Sequence, residues 1–87
     1  MLAYALLGQR RYADAEREFR KLLYLSADRA ATVRARWGVA QALEGRGDLA
    51  GAIAQYESLR GDLDDPKYVA EKIDRLKGRE ASVPSHK

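Results

Sequence analysis

Apolar residues return every three to four positions along most of this chain, in blocks separated by glycine or by polar turns. Val39, Ala40 and Leu43 make one stripe; Leu49, Ala52, Ile53, Tyr56 and Leu59 make the next. Such spacing puts side chains on one face of an α-helix. Between the stripes, Gly45-Arg46-Gly47 supplies two glycines that tolerate positive φ where a helix ends, and Asp48 can cap the N–H groups of the following helix. Residues 34–59 therefore predict a helical hairpin with its apolar faces turned inward.

The same reading extends along the chain. Residues 1–8 form a short helical stretch closed by Gly8, and Gln9-Arg10-Arg11 a polar turn. A helix over residues 12–25 carries Tyr12, Ala15, Phe19, Leu22 and Leu23 on one stripe and a charged opposite face, with Glu16 and Arg20 at a favourable i,i+4 spacing. Asp28 is placed to cap a helix over residues 29–44. The hairpin partner runs over residues 49–60, and Gly61 can close it. Asp65-Pro66 reads as an N-cap followed by proline at the first helical position, opening a last helix to Lys77 with Val69, Ile73 and Leu76 inward. On the outside of that helix stand Lys67, Glu71, Lys72, Asp74, Arg75 and Lys77, a solvating cap. Residues 78–87 are rich in polar and turn-forming types and read as a disordered tail. The expectation is an all-α fold of about five helices without strands.

A repeat organises these helices. Leu2, Ala3 and Leu6 match Val39, Ala40 and Leu43 at an offset of 37. The same offset pairs Tyr12 with Leu49, Ala15 with Ala52, Phe19 with Tyr56, Leu22 with Leu59, and Asp28 with Asp65. Matched residue types at eight positions under one offset imply stacked helical hairpins.

These positions resemble the tetratricopeptide repeat, which runs Trp-x2-Leu-Gly-x2-Tyr, then Ala-x3-Phe, then Pro. Val39-Ala40-x2-Leu43 followed by Ala52-x3-Tyr56 carries the resemblance in the central repeat, and Leu2-Ala3-x2-Leu6 followed by Ala15-x3-Phe19 in the earlier one. It covers residues 1–77, divided into a shortened first repeat (1–25), a second repeat (29–60) and a capping helix (66–77). The chain departs from the pattern in its period, about three residues longer than the family's 34. It departs also in Arg36 at the family's Trp position, with Trp37 one residue later, and in Ala27 and Asp64 at the closing Pro. Because the chain opens inside a helix, it reads as a fragment of a longer array.

What the resemblance implies is a right-handed superhelix of antiparallel hairpins whose first helices line a concave surface where a peptide or partner protein docks. On that surface it places Tyr4, Leu7, Arg34, Trp37, Gln41 and Glu44. A Trp flanked by Arg and Gln offers stacking area with a polar rim. Packing of Trp37 against a neighbouring helix is the competing reading, and the favoured one. The carboxylate-gripping subclass of the family uses Lys and Asn at such positions; this sequence has no Asn, and the residues above do not supply that clamp.

Composition narrows the remaining options. The 87 residues suit one small domain, which buries only about 60 % of its unfolded surface. A net charge of +3 with 33% charged residues is only mildly basic and calls for neither nucleic acid nor a membrane. Arg10, Arg11 and Arg46 fall in equivalent turns and would project from one edge, but the aromatic–basic interleaving of single-strand binders is absent. No apolar run approaches the roughly 20 residues of a membrane span. The lack of Cys removes disulfides, thiolate catalysis and Cys-based zinc sites, and leaves cytoplasm and periplasm both open. The single His, His86, falls in the expected tail; Asp62, Asp64 and Asp65 lack the closing Glu of a calcium loop. Nothing calls for a metal, a cofactor or catalysis. The expected function is non-catalytic, the holding of a peptide or partner protein. The alternatives are a homodimer through Leu2, Leu6 and Leu7, and a regulatory or docking segment of a larger enzyme.

Overall fold

The computed structural model describes residues 2–62 and 66–82, which form helices joined by short turns at 9–11, 26–28 and 46–48. In chain order they form α1 (Leu2–Gly8), α2 (Tyr12–Leu25), α3 (Arg29–Gly45), α4 (Leu49–Leu59) and α5 (Pro66–Ser82), with a 3₁₀ turn, Arg60–Asp62, after α4. No strand occurs among the described residues. Each helix packs against the next one in the chain, and α1 also touches α3.

Two of the helix starts are capped by aspartate. Asp28 Oδ1 accepts from the Ala31 N–H at 2.8 Å, and Asp48 Oδ1 from the Gly51 N–H at 2.9 Å. Helix α2 has no such cap. Its first turn instead carries Asp14, which complements the positive helix end and binds Arg11 and Arg17 at 2.8 and 2.6 Å. The cap expected at Asp65 lies outside the described residues.

The hairpin turns are built alike. After α1, the Arg10 N–H donates to the Leu7 carbonyl at 3.0 Å and the Arg11 N–H to the Leu6 carbonyl at 2.9 Å. After α3, Gly47 donates to Glu44 at 3.1 Å and Asp48 to Leu43 at 2.9 Å, the same bonds 37 residues on. This is a Schellman end, which needs one residue in the left-handed region. Gly47 holds it at φ 86°, and Arg10 takes it at φ 61° despite its side chain.

Gly45, expected to share the hinge with Gly47, is instead the last residue of α3 and is needed for space. A Cβ there would lie 2.3 Å from the Tyr12 ring, and one on Gly38 would lie 2.3 Å from the Phe19 ring. Gly38 and Gly45 are two turns apart on one face of α3; Tyr12 and Phe19 are two turns apart on α2. The pairs run in opposite directions, so the helices are antiparallel and two rings of one press on two bare patches of the other. With α2 on one side and α4 on the other, α3 is buried at Ala35, Gly38, Val39, Ala40, Ala42 and Leu43.

Four of the 37-residue matches are buried at both members: Ala3 and Ala40, Leu6 and Leu43, Ala15 and Ala52, Phe19 and Tyr56. Two are not. Leu2 is 60% exposed where Val39 is 0%, and Leu22 is 36% exposed where Leu59 is 0%. The core also takes Val69, Ile73 and Leu76, the expected inward stripe of α5. Helix α5 continues five residues past the expected stop at Lys77, so residues 78–82 are helix and not tail; Arg79 reaches Glu44 at 3.6 Å across this extension. Residues 83–87 lie outside the described residues.

Candidate functional site

The six residues expected on a common binding surface separate into two groups. Tyr4 and Arg34 line an open groove at the α1 end of the molecule. Trp37 and Glu44 are engaged with α4 and α5. Leu7 is half-buried against the core, and Gln41 is half-buried on α3.

The groove has a volume of about 290 Å³. Phe19, Leu22 and Leu25 from α2 form one wall, Ala31, Arg34 and Ala35 from α3 the other, and Tyr4 closes the α1 side. Ser26 and Ala27 form the end. The Tyr4 ring stands edge-on to Phe19, with centroids 5.1 Å apart and planes at 79°. Leu25 is 74% exposed at the mouth. The walls are apolar because the last turn of α2 and the first turns of α3 offer Leu and Ala where a cap or turn would otherwise bring polar groups. Arg34 is the one guanidinium on the lining, and no carboxylate lies within ion-pair distance of it among the described residues.

At the other end, the Trp37 ring meets Tyr56 edge-on at 5.1 Å and 74°, and stacks on Tyr68 at 5.7 Å and 20°. Glu44 accepts the Tyr56 hydroxyl at 3.2 Å and pairs with Lys72 at 3.1 Å. Lys72 Nζ also stands 6.0 Å from the Tyr56 ring centroid. Its expected place on the outer face of α5 is therefore corrected: Lys72 is half-buried and turned toward α3 and α4, while Lys67, Glu71, Asp74, Arg75 and Lys77 are exposed. Burial first, and the adjacent Glu44 carboxylate second, push the Tyr56 phenol well above the usual tyrosine range, so it remains a donor. Glu44 thus joins three helices through its carboxylate.

Charge on the outer face of α2 is neutralised locally. Glu16 binds Arg20 at 2.9 Å and Arg46 at 2.7 Å, Lys21 pairs with Glu18, and Asp14 holds Arg11 and Arg17. The Asp14 carboxyl is held below its ordinary value by hydrogen bonds from Arg11 and then Arg17. Two of the three arginines expected to form a basic edge are consumed in these pairs. The face proposed for a homodimer is also largely closed: Leu6 is buried, Leu7 is half-buried, and of the three only Leu2 is open.

Among the described residues, no three His, Cys, Asp or Glu side chains converge to hold a metal ion, and no described helix is long and apolar enough to cross a membrane. Every fully buried described residue is apolar or glycine, apart from the Tyr56 phenol already bonded to Glu44. Comparison with protein-family models, curated proteins and solved structures finds no match.

The groove itself was missed in the sequence as a site. Its signal was present, since Leu22 and Leu25 continue the apolar stripe to the end of α2.

Proposed function

We propose that this chain is a non-catalytic protein-interaction module, similar to tetratricopeptide repeats in stacking antiparallel hairpins as a right-handed superhelix, and that it holds a segment of a partner protein. The observation that carries the reading is the open groove: an apolar trough of about 290 Å³ with a single guanidinium on its lining. Apolar walls with few polar groups suit the capture of side chains, since the walls gain on losing water and the cation sets orientation. The kinship to the repeat family is supported by the two Schellman ends and the four buried pairs, all at one offset of 37.

A peptide-array screen with the wild-type chain and with Leu25→Asp tests the proposal. Leu25 is exposed at the end of α2, so its replacement leaves the core alone. Array binding is expected to fall at least tenfold in the variant. Binding that persists undiminished would remove the groove as the docking surface.

A further inference from the structure

The charges of α2 cancel in number, Asp14, Glu16 and Glu18 against Arg17, Arg20 and Lys21, but not in height above the helix. The carboxylates lie low, with 15–34% of each side chain exposed, and the cations stand over them at 49–67%. Two turn arginines join the same pairs, Arg11 on Asp14 and Arg46 on Glu16, and Arg10 is exposed next to Arg11. Of the chain's 16 cations and 13 acids, six and three are here and ten of each lie elsewhere. The whole excess of +3 therefore belongs to α2 and the two turns beside it. These cations keep donors to spare. Arg20 reaches Glu16 through Nε alone, and Arg46 and Arg17 each reach their carboxylate through one terminal nitrogen, so every guanidinium retains N–H groups for a second anion.

The geometry points to the outer face of α2 as a docking site for a short acidic segment of a partner protein, with an apolar residue at one end. Arg17, Arg20 and Lys21 line one shallow depression with Ala13, Glu16 and Tyr24. The three cations take the carboxylates of the segment. Tyr24, 89% exposed at the end of the depression, takes its apolar residue. None of these residues lines the groove, so the two surfaces are separate.

The repeat shows that this face stays bare in a stack. One period on, Ala13, Arg17, Arg20 and Lys21 become Ala50, Ala54, Glu57 and Ser58 of α4. All four are exposed, although α4 has the hairpin of α1 and α2 ahead of it. A hairpin set ahead of α2 in the same way leaves its outer face equally open. The same comparison sets the size and kind of partner. At these positions α4 has one carboxylate and no cation, so the cationic band is one helix wide, about 10 Å, and about 16 Å long from Ala13 to Tyr24. A membrane or a nucleic-acid duplex laid on α2 would lie on α4 also and meet Glu57. A peptide fits, since about five extended residues span that length. Side chains one helical turn apart, as Arg17 and Lys21 are, stand about 5–6 Å apart. Alternate residues of an extended strand repeat every 6–7 Å or so, which brings acids at every second position into register with them.

The test uses a peptide of about 12 residues with Glu at alternate positions and Leu near one end, and counterparts with Gln or Lys for every Glu. Binding is followed in 1H–15N spectra of the whole chain. The Glu peptide is expected to shift residues 13–24 and Arg46, and to bind at least tenfold more tightly than the Gln peptide; the Lys peptide should not bind. Raising salt from about 0.05 to about 0.5 M should weaken the Glu peptide at least tenfold. Arg17→Gln with Lys21→Gln should do the same, and Tyr24→Ser should weaken it severalfold. Arg75→Gln, which removes an exposed cation of α5, should change nothing. The ion pairs lost are at the surface, so melting stays near wild type; should the double variant not fold, Lys21→Gln alone is expected to weaken binding severalfold. Equal binding of Glu and Gln peptides, or an equal loss in Arg75→Gln, would overturn the site. So would an absence of shifts at millimolar peptide, or shifts confined to Leu22, Leu25 and Ala35. Tighter binding of a single-stranded thymidine oligonucleotide or of phosphatidylserine vesicles than of the Glu peptide would show the proposed occupant to be wrong. Each of these failures leaves the groove reading standing, because the two surfaces share no residue.

Discussion

Replacing Gly38 by alanine sets two effects of known sign against each other. In a helix interior, alanine is favoured over glycine by about 1 kcal/mol. At Gly38, however, the new Cβ would lie 2.3 Å from two carbons of the Phe19 ring, where carbon contacts are comfortable only near 3.5–4.0 Å. One side must yield by more than an ångström. Phe19 is 1% exposed, held between α3 and the Tyr4 ring, so making room means pushing its ring out of that packing toward the groove. Overpacking of this kind costs about 1–3 kcal/mol, which outweighs the propensity gain and leaves a net loss of up to about 2 kcal/mol. For a domain of this size each kcal/mol moves the melting temperature by about 4–8 °C. Gly78→Ala is the matched control, an exposed α5 position where the new Cβ meets nothing within 4 Å. It should gain about 0.5–1 kcal/mol. Gly45→Ala should fall between them, because Tyr12 is only half-buried and its ring can swing outward. Thermal melts by circular dichroism give the ranking directly. A Gly38→Ala protein that melts above wild type, alongside Gly78→Ala, would refute the close approach of α2 and α3.

The hairpin ends give opposite expectations in urea denaturation. Arg10→Gly relieves a left-handed side chain costing about 1–2 kcal/mol but loosens the unfolded chain by about 0.4–1, so a stabilisation of about 0.5–1 kcal/mol is expected; Gly47→Ala should destabilise by about 1 kcal/mol. Tyr56→Phe removes the bond to Glu44 and should cost about 1 kcal/mol near neutral pH. The Tyr56 phenol is raised in the fold, so its contribution is complete below the ordinary value of 10.0 and declines as pH rises above it; wild type should lose more stability than Tyr56→Phe above pH 10.0, read by alkaline denaturation. Asp14 is depressed, so its contribution is present above the ordinary 3.8 and is lost as pH falls through the lower folded value. Asp14→Asn should therefore flatten the acid limb of the stability curve, by a small and salt-sensitive amount because the pair is at the surface.

Much of the helix layout could be read from local chemistry. Asp28 and Asp48 cap by reaching three residues ahead, a bond that depends on nothing distant, and the inward stripes of α4 and α5 follow from periodicity alone, whereas on α2 only Ala15 and Phe19 of the expected stripe are buried. What could not be read depended on neighbours. Gly45 looks like a helix stop in sequence, yet its role is set by a Tyr12 ring that arrives from another helix. Glu44 shares a helix face with Trp37 and was expected to meet a ligand, but its carboxylate is taken by Lys72 and Tyr56, from two elements later in the chain. Gly78 resembles a terminator, and α5 passes through it with Arg79 reaching Glu44 beyond. The groove lay hidden because its lining comes from α1, α2 and α3 together, which no single apolar stripe displays.

The tightest packing between helices, ring against bare glycine backbone, joins α2 to α3 and so crosses from one hairpin into the next. The seam between repeats is thereby sewn more firmly than a loose chain of independent pairs would require. Amide protons of α2 and α3 are then expected to exchange together, as one cooperative block, with α5 releasing its protons earlier as a separate flap.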